Sequence, residues 1–224
     1  MERWDAQGNV YLVSEPFDAT PAHVRELVGD ADGILEVSPD GDVVIWNPDG
    51  TVAEMSGNGT RIAAAWLAER TGAAALTVRS AGRRIRVRAL GNARYAQELG
   101  EVRVGQAEEV DGIRFVPVDV GNPHAVVEDD PAELPRIGPL LETHPRFPQR
   151  TNVQVGRVEA PGRIRARVWE RGAGETASSG SSAVAVAAAL AGDGETVVVF
   201  PGGELLVRID DGSAWLTGPA LRVT

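Results

Sequence analysis

The chain has 224 residues with a net charge of −10, 43% apolar residues and no cysteine. That balance supplies a core and excludes disulfides, thiolate metal sites and thiol nucleophiles. It also disfavours nucleic acid as a partner, because phosphate binding needs clustered positive charge. All 22 basic residues are arginine, which excludes a Schiff-base lysine for pyridoxal phosphate and the lysine of a P-loop.

In chain order, "MERWDAQGNV" lacks the apolar stretch of a signal peptide, and no apolar run approaches membrane-span length. The expected setting is a cytoplasmic protein with no membrane partner. "DVVIW" reads as a strand by its period of two, and the Gly-rich turn "SGNGT" opens an alanine-rich helix at about 58–70. "TVAE" at Thr51–Glu54 has capping-box spacing, although the following glycines put the helix start later. A two-strand hairpin turning on glycine follows. A domain boundary is expected in "GQAEEVDG", giving domains 1–108 and 109–212, with 213–224 able to return and complete the first sheet. "EDDPAELPRIGPLLETHPRFPQR" reads as a proline-rich loop with one short helix. "RIRARVW", a second small-residue turn, "SSGSS", and a second alanine-rich helix at about 180–191 come next. His23, His124 and His144 are far apart with no ligand spacing, so no metal site is expected.

The two halves repeat each other. An offset of 123 pairs Trp46 with Trp169, Ser56 with Ser179 and Gly57 with Gly180. "TVRSAGRRIRVR" matches "VVVFPGGELLVR" at an offset of 120, and "GNVYLVSE" matches "GNPHAVVE" at 113. Three matches in one order describe a duplicated α/β domain. If the copies pack about a pseudo-two-fold axis, 56–59 and 179–182 line one cleft. Each turn would present helix N-terminal N–H groups suited to a small carboxylate. A side chain from each side is the geometry of two-base proton transfer. The alternative, from periodicity alone, is two Gly-rich helix starts without chemistry.

"DAQGN", "NPDGTVAEMSGNGTR", "GNPHAVV", "TNVQV" and "WERGAGETASSGSSA", in this order, resemble the diaminopimelate epimerase family. The resemblance implies an α+β fold of two duplicated, pseudo-two-fold-related domains, each a curled, mostly antiparallel sheet around a central helix. It implies cofactor-independent epimerisation of LL- to meso-diaminopimelate, a precursor of lysine and peptidoglycan, with a small amino acid as partner and a homodimer as an eligible assembly. Carried over residue by residue, it assigns substrate binding to Asn9, Asn47, Asn122 and Asn152 and to the Glu170–Arg171 pair. Backbone donors at Gly57, Asn58, Gly180 and Ser181 would hold the reacting carboxylate, and His124 and Glu170 would tune the catalytic acids and bases. Taken singly, Asn9 and Asn47 read equally well as turn caps, Glu170 and Arg171 as a surface pair, and His124 as structural.

One departure stands out. Ser56 and Ser179 occupy the positions of the family's two catalytic cysteines. A thiol with pKa ~8.5 ionises at neutral pH for ~2 kcal/mol, whereas an alcohol near ~15.7 requires ~12 kcal/mol. A slow epimerase and a divergent relative that binds an amino acid without turnover are both compatible with that pair. Ile62 and Val184 also stand where relatives often carry cysteine, which points to natural loss rather than engineered replacement.

Overall fold

The computed structural model describes residues 1–53 and 56–223. Glu54, and with it the expected capping box, lies outside the described residues. The chain divides into two compact units, Met1–Glu98 with Thr217–Thr224, and Leu99–Leu216.

In the first unit, β1 (Glu2–Asp5) and β2 (Val10–Ser14) form a hairpin, and α1 (Pro21–Leu27) leads to β3 (Gly33–Val37) and β4 (Val43–Trp46). Then come α2 (Gly57–Thr71), β5 (Ala75–Ser80), β6 (Arg83–Ala89) and β7 (Arg94–Glu101). In the second unit, β8 (Arg103–Val104) and β9 (Glu108–Val110) precede the β10 (Ile113–Asp119) and β11 (Pro123–Glu128) hairpin. A 3-10 turn (Pro131–Glu133) runs into α3 (Leu134–Glu142), followed by β12 (Asn152–Ala160), β13 (Arg163–Glu170) and β14 (Gly174–Thr176). After α4 (Gly180–Leu190) come β15 (Gly194–Phe200), β16 (Gly203–Asp210), β17 (Ser213–Pro219) and β18 (Leu221–Val223).

The units share one topology, which is the duplication seen in the sequence. The first hairpin strand pair continues in parallel, β2 to β3 and β11 to β12, and then antiparallel to β4 and β13. The antiparallel pairs Ile34–Trp46 and Val153–Trp169 are counterparts. The sheet then passes in parallel from β4 to β5 through the single bridge Asp42–Arg79, and from β13 to β15 through Arg163–Arg165. Shifting Asp42 by 123 and Arg79 by 120 gives Arg165 and Val199, which pair in the second unit. The offsets read from sequence are thus the spatial register of the repeat.

Each sheet curls around its central helix. Helix α2 is buried from Asn58 to Leu67, and α4 over most of its length. Alanine at Ala63–Ala65 and Ala185, Ala187 and Ala188 lets strands approach all round, so neither helix shows the polar face of a surface helix. Trp4, Val13, Leu35, Ile45, Ile62, Trp66 and Val78 close the core around α2. The Ser56 side chain accepts a hydrogen bond from Gly59 N, which caps α2, and Gly72 ends the helix at φ 70°. Such a cap contributes about 1 kcal/mol.

One feature differs from the sequence expectation. The division between units falls inside β7, earlier than 108/109, because β8 and β9 pair with β10 of the second unit. Residues 217–224 belong to the first unit, where β18 pairs with β1. The proline-rich segment carries the one short helix expected there, and Ile137 and Leu141 of α3 join Phe115, Val127 and Val155 in a core. Pro139 sits inside α3, where its missing N–H removes a bond from a helix held by packing.

Candidate functional site

In the first unit the sequence-predicted residues gather at two turns and one helix start. Asn9 is half-buried in the β1–β2 turn, where its carbonyl accepts Ala6 N–H at 3.0 Å. Asn47 follows β4 and donates its side-chain amide to Thr51 Oγ1 at 3.0 Å. Gly57 and Asn58 occupy the first turn of α2, where a helix offers N–H groups that lack intrahelical acceptors. Ser56 Oγ accepts from Gly59 N at 2.9 Å and from the Tyr11 hydroxyl at 3.2 Å.

The base of this turn is fixed from below. Gln97, fully buried on β7, donates to Gly57 O at 2.6 Å and accepts from Thr60 Oγ1 at 3.0 Å. Arg61, also fully buried, donates through Nη2 to Asn58 Oδ1 at 3.0 Å and through Nε to Pro219 O at 2.9 Å. Burial pushes its guanidinium down to about 10, against the attraction of Asp5. Among the described residues its Nη1 finds no partner.

In the second unit most of the expected residues fall into three hydrogen-bonded groups. Ser179 caps α4, but its hydroxyl makes no bond to the helix and donates to Glu170 Oε2 at 3.3 Å. The other oxygen of Glu170 accepts from Thr176 Oγ1 at 2.6 Å. Asn152 is bridged: its Oδ1 accepts Arg171 N–H at 3.0 Å, and its Nδ2 donates to Pro123 O at 3.0 Å. Gly180 is buried and Ser181 half-buried in the first turn of α4.

His124 is buried, with both ring nitrogens engaged. Nε2 lies 2.9 Å from Asn122 Oδ1, and Nδ1 lies 2.9 Å from Gln154 Nε2, which also donates to Ser182 Oγ at 3.0 Å. An amide N–H can only donate, so Nδ1 accepts and the proton sits on Nε2. Burial, with Arg171 adding to it and the Gln154 bond opposing, pushes the imidazole down to about 3. His124 is therefore a neutral strut that orients Asn122 and the start of α4.

Sequence reasoning passed over three residues. Glu142, at the end of α3, accepts Trp169 Nε1 at 2.7 Å, Gly172 N at 2.8 Å and Arg150 Nη1 at 3.3 Å. Burial raises its carboxyl, but these donors outweigh burial and hold it below the usual range. It fixes the turn on both sides of Glu170 and Arg171. Tyr11 and Gln154 are the others, each reaching a helix start from a strand distant in sequence. A signal for Tyr11 existed: the 113-residue offset aligns it with His124.

Residues 116–223 match the family model described as diaminopimelate epimerase. A diaminopimelate epimerase of Synechococcus sp. (strain JA-2-3B'a(2-13)) is 43% identical over 122 residues, covering 49% of this chain and 43% of that protein. The Methylobacterium sp. (strain 4-46) protein of the same name is 52% identical over 112 residues, covering 46% of this chain and 38% of its own length. The matched segments thus span less than half of these relatives. Among solved structures, a predicted epimerase from Pseudomonas aeruginosa has a TM-score of 0.76 at 19% identity, covering 100% of this chain and 96% of that one. A hydroxyproline epimerase from Agrobacterium vitis has a TM-score of 0.68 at 14% identity, with coverage of 99% and 88%. These two share the fold. Residues 116–223, which carry Asn122, Asn152, Glu170, Arg171 and Ser179, are similar to the diaminopimelate epimerase family.

Proposed function

We propose that the protein acts on the α-carbon of a diaminopimelate-like amino acid by cofactor-independent proton transfer in the cytoplasm, with Ser56 and Ser179 as the proton carriers. The observation that carries this reading is the Ser179–Glu170 contact at the start of α4, within the segment that matches the family. In it a hydroxyl meets a carboxylate able to take its proton, beside N–H groups suited to an anion. Arg171 and Glu170 supply opposite charges for the two ends of an amino acid. Asn9, Asn47, Asn122 and Asn152 supply neutral donors and acceptors, and Gly57, Asn58, Gly180 and Ser181 backbone donors.

Hydroxyls make poor carriers, so turnover is slow. A second reading, binding without turnover, is favoured by Ser56 Oγ, which accepts from both the Tyr11 hydroxyl and Gly59 N. Calorimetry with meso-diaminopimelate, followed by deuterium incorporation at its α-carbon in heavy water, separates the two. Binding with exchange supports the epimerase, and binding without exchange the silent relative. Restoring thiols sharpens the test. Ser56→Cys with Ser179→Cys places thiols at two helix N-termini, which lower a thiol pKa, and inversion is expected to rise at least ~100-fold. Each single substitution serves one proton transfer, so the double variant should exceed the sum of both singles. A folded double variant inert on diaminopimelate, proline and hydroxyproline would refute the epimerase reading.

A further inference from the structure

Strands β11 and β12 run in parallel with His124 opposite Asn152, so their even-numbered residues share one face and their odd-numbered residues the other. Ala125, Val127, Val153 and Val155 lie in the core with Ile137 and Leu141 of α3. His124 and Gln154 therefore face the opposite way, where Gln154 meets Ser182 in the first turn of α4.

Hydrogen-bond accounting on that face fixes the polarity of a third side chain. Gln154 is fully buried, and its amide nitrogen uses both protons, on His124 Nδ1 at 2.9 Å and on Ser182 Oγ at 3.0 Å. Its Oε1 is buried with no partner among the described residues. Turning the amide over would bury two unpartnered N–H donors in place of one oxygen, so the observed orientation strands less. Nδ1 must then be bare, and the imidazole proton sits on Nε2. Against that N–H, Asn122 can set only its oxygen, which lies at 2.9 Å. Asn122 Nδ2 points away from the imidazole, with no hydrogen bond among the described residues and both of its protons unused.

We infer that Gln154 is a positioning residue: through the tautomer of His124 it leaves the donor end of the Asn122 amide for the ligand, so the group Asn122 receives is a carboxylate oxygen and not an ammonium. The inference rests on the reading above, in which Asn122 touches the amino acid. The first copy of the fold lacks the device. The offset of 113 aligns Asn122 and His124 with Asn9 and Tyr11, and the register that pairs His124 with Asn152 pairs Tyr11 with Gly33. Leu35 accordingly stands where Gln154 does, buried in the core around α2. The Asn9 side chain makes no hydrogen bond among the described residues, so its amide can present either end. The fixed polarity of Asn122 is thus a property added at position 154, not one that duplication confers.

The test reads the tautomer directly, in the full chain with isotope-labelled histidine. Long-range proton–nitrogen correlation NMR distinguishes a proton on Nε2 from one on Nδ1, and His124→Gln identifies the signals. The wild type should show the Nε2–H form. Gln154→Met keeps the length and removes the amide, so it should shift His124 toward a mixture of both tautomers. Calorimetry with meso-diaminopimelate is the second readout. Asn122→Asp keeps the oxygen that His124 holds and exchanges the donor for a second oxygen, so affinity should fall at least ~10-fold. Gln154→Met should lower affinity ~3-fold or more, because the Asn122 amide is then free to turn. A merely structural role would lower the melting temperature of Gln154→Met and leave the His124 signals in the wild-type form. That outcome, or an Nδ1–H form in the wild type, overturns the inference. So does an Asn122→Asp protein that binds as tightly as wild type or tighter, as it would if Asn122 met an ammonium. Should Gln154→Met fail to fold, the wild-type spectrum and Asn122→Asp decide. A wild type that binds no meso-diaminopimelate overturns the proposed function and the carboxylate assignment with it, whereas the spectrum, which needs no ligand, judges the His124 tautomer on its own.

Discussion

Burial decides what His124 can do, and the sign of its effect is measurable. Its folded value, about 3, lies below the unfolded 6.5. Between those values the unfolded chain binds the extra proton, so stability rises with pH. The contribution is complete above about 6.5, is lost as pH falls toward about 3, and amounts to a few kcal/mol at ~1.36 kcal/mol per unit. Urea unfolding at pH ~7 and ~4 should show a larger loss for wild type than for His124→Gln. An equal loss would mean the imidazole is not held neutral. For the same reason no activity limb near 6.5 is expected from this residue. The spacing of "GNPH" locates the histidine, but its state depends on Gln154, thirty residues on, and on a strand pairing that no motif encodes.

At the scale of elements, α3 is the clamp on the candidate site. Its Gly138 faces Trp169 so closely that an added Cβ would lie 2.8 Å from the Trp169 Cβ and Cγ. Its Glu142 then accepts the indole N–H of the same tryptophan. The first unit repeats the device differently: Trp46, the counterpart of Trp169, donates to Glu36 on β3 at 2.6 Å. Gly138→Ala should therefore cost about 1–3 kcal/mol through overpacking, seen as a lower melting temperature. Glu142→Ala leaves the Trp169 indole and Gly172 N–H unpaired, at about 1–3 kcal/mol each, and should weaken amino-acid binding in calorimetry. Unchanged affinity in a folded Glu142→Ala protein would show that the 170–172 turn holds itself. The central helices were legible because a hydroxyl cap, small residues and alanine runs are local signals. Helix α3 was legible as the one short helix of its proline-rich segment, whereas Glu142 had no motif at all.

For the whole molecule, repetition was the most legible property, since three offsets in the sequence reappear as strand register. The unit boundary was less legible, because it follows which strands pair and not where composition shifts. Residues 217–224 are the clearest case: they follow the second unit yet belong with the first, and Pro219 O holds the buried Arg61. This arrangement sets an order on biosynthesis. A chain emerging from the ribosome can assemble its continuous unit, Leu99–Leu216, before its first unit has all its parts. The usual sequence, N-terminal domain first, is thereby inverted. Nascent chains stalled just after Leu216 clears the exit tunnel should show protease protection in the second unit and cleavage in the first. The first unit should become resistant once residues 217–224 have emerged. Until residues 217–224 emerge, the half carrying Tyr11 and Ser56 would remain open to chaperones and proteases, so a stop codon just after Leu216 would disable the protein from its first unit.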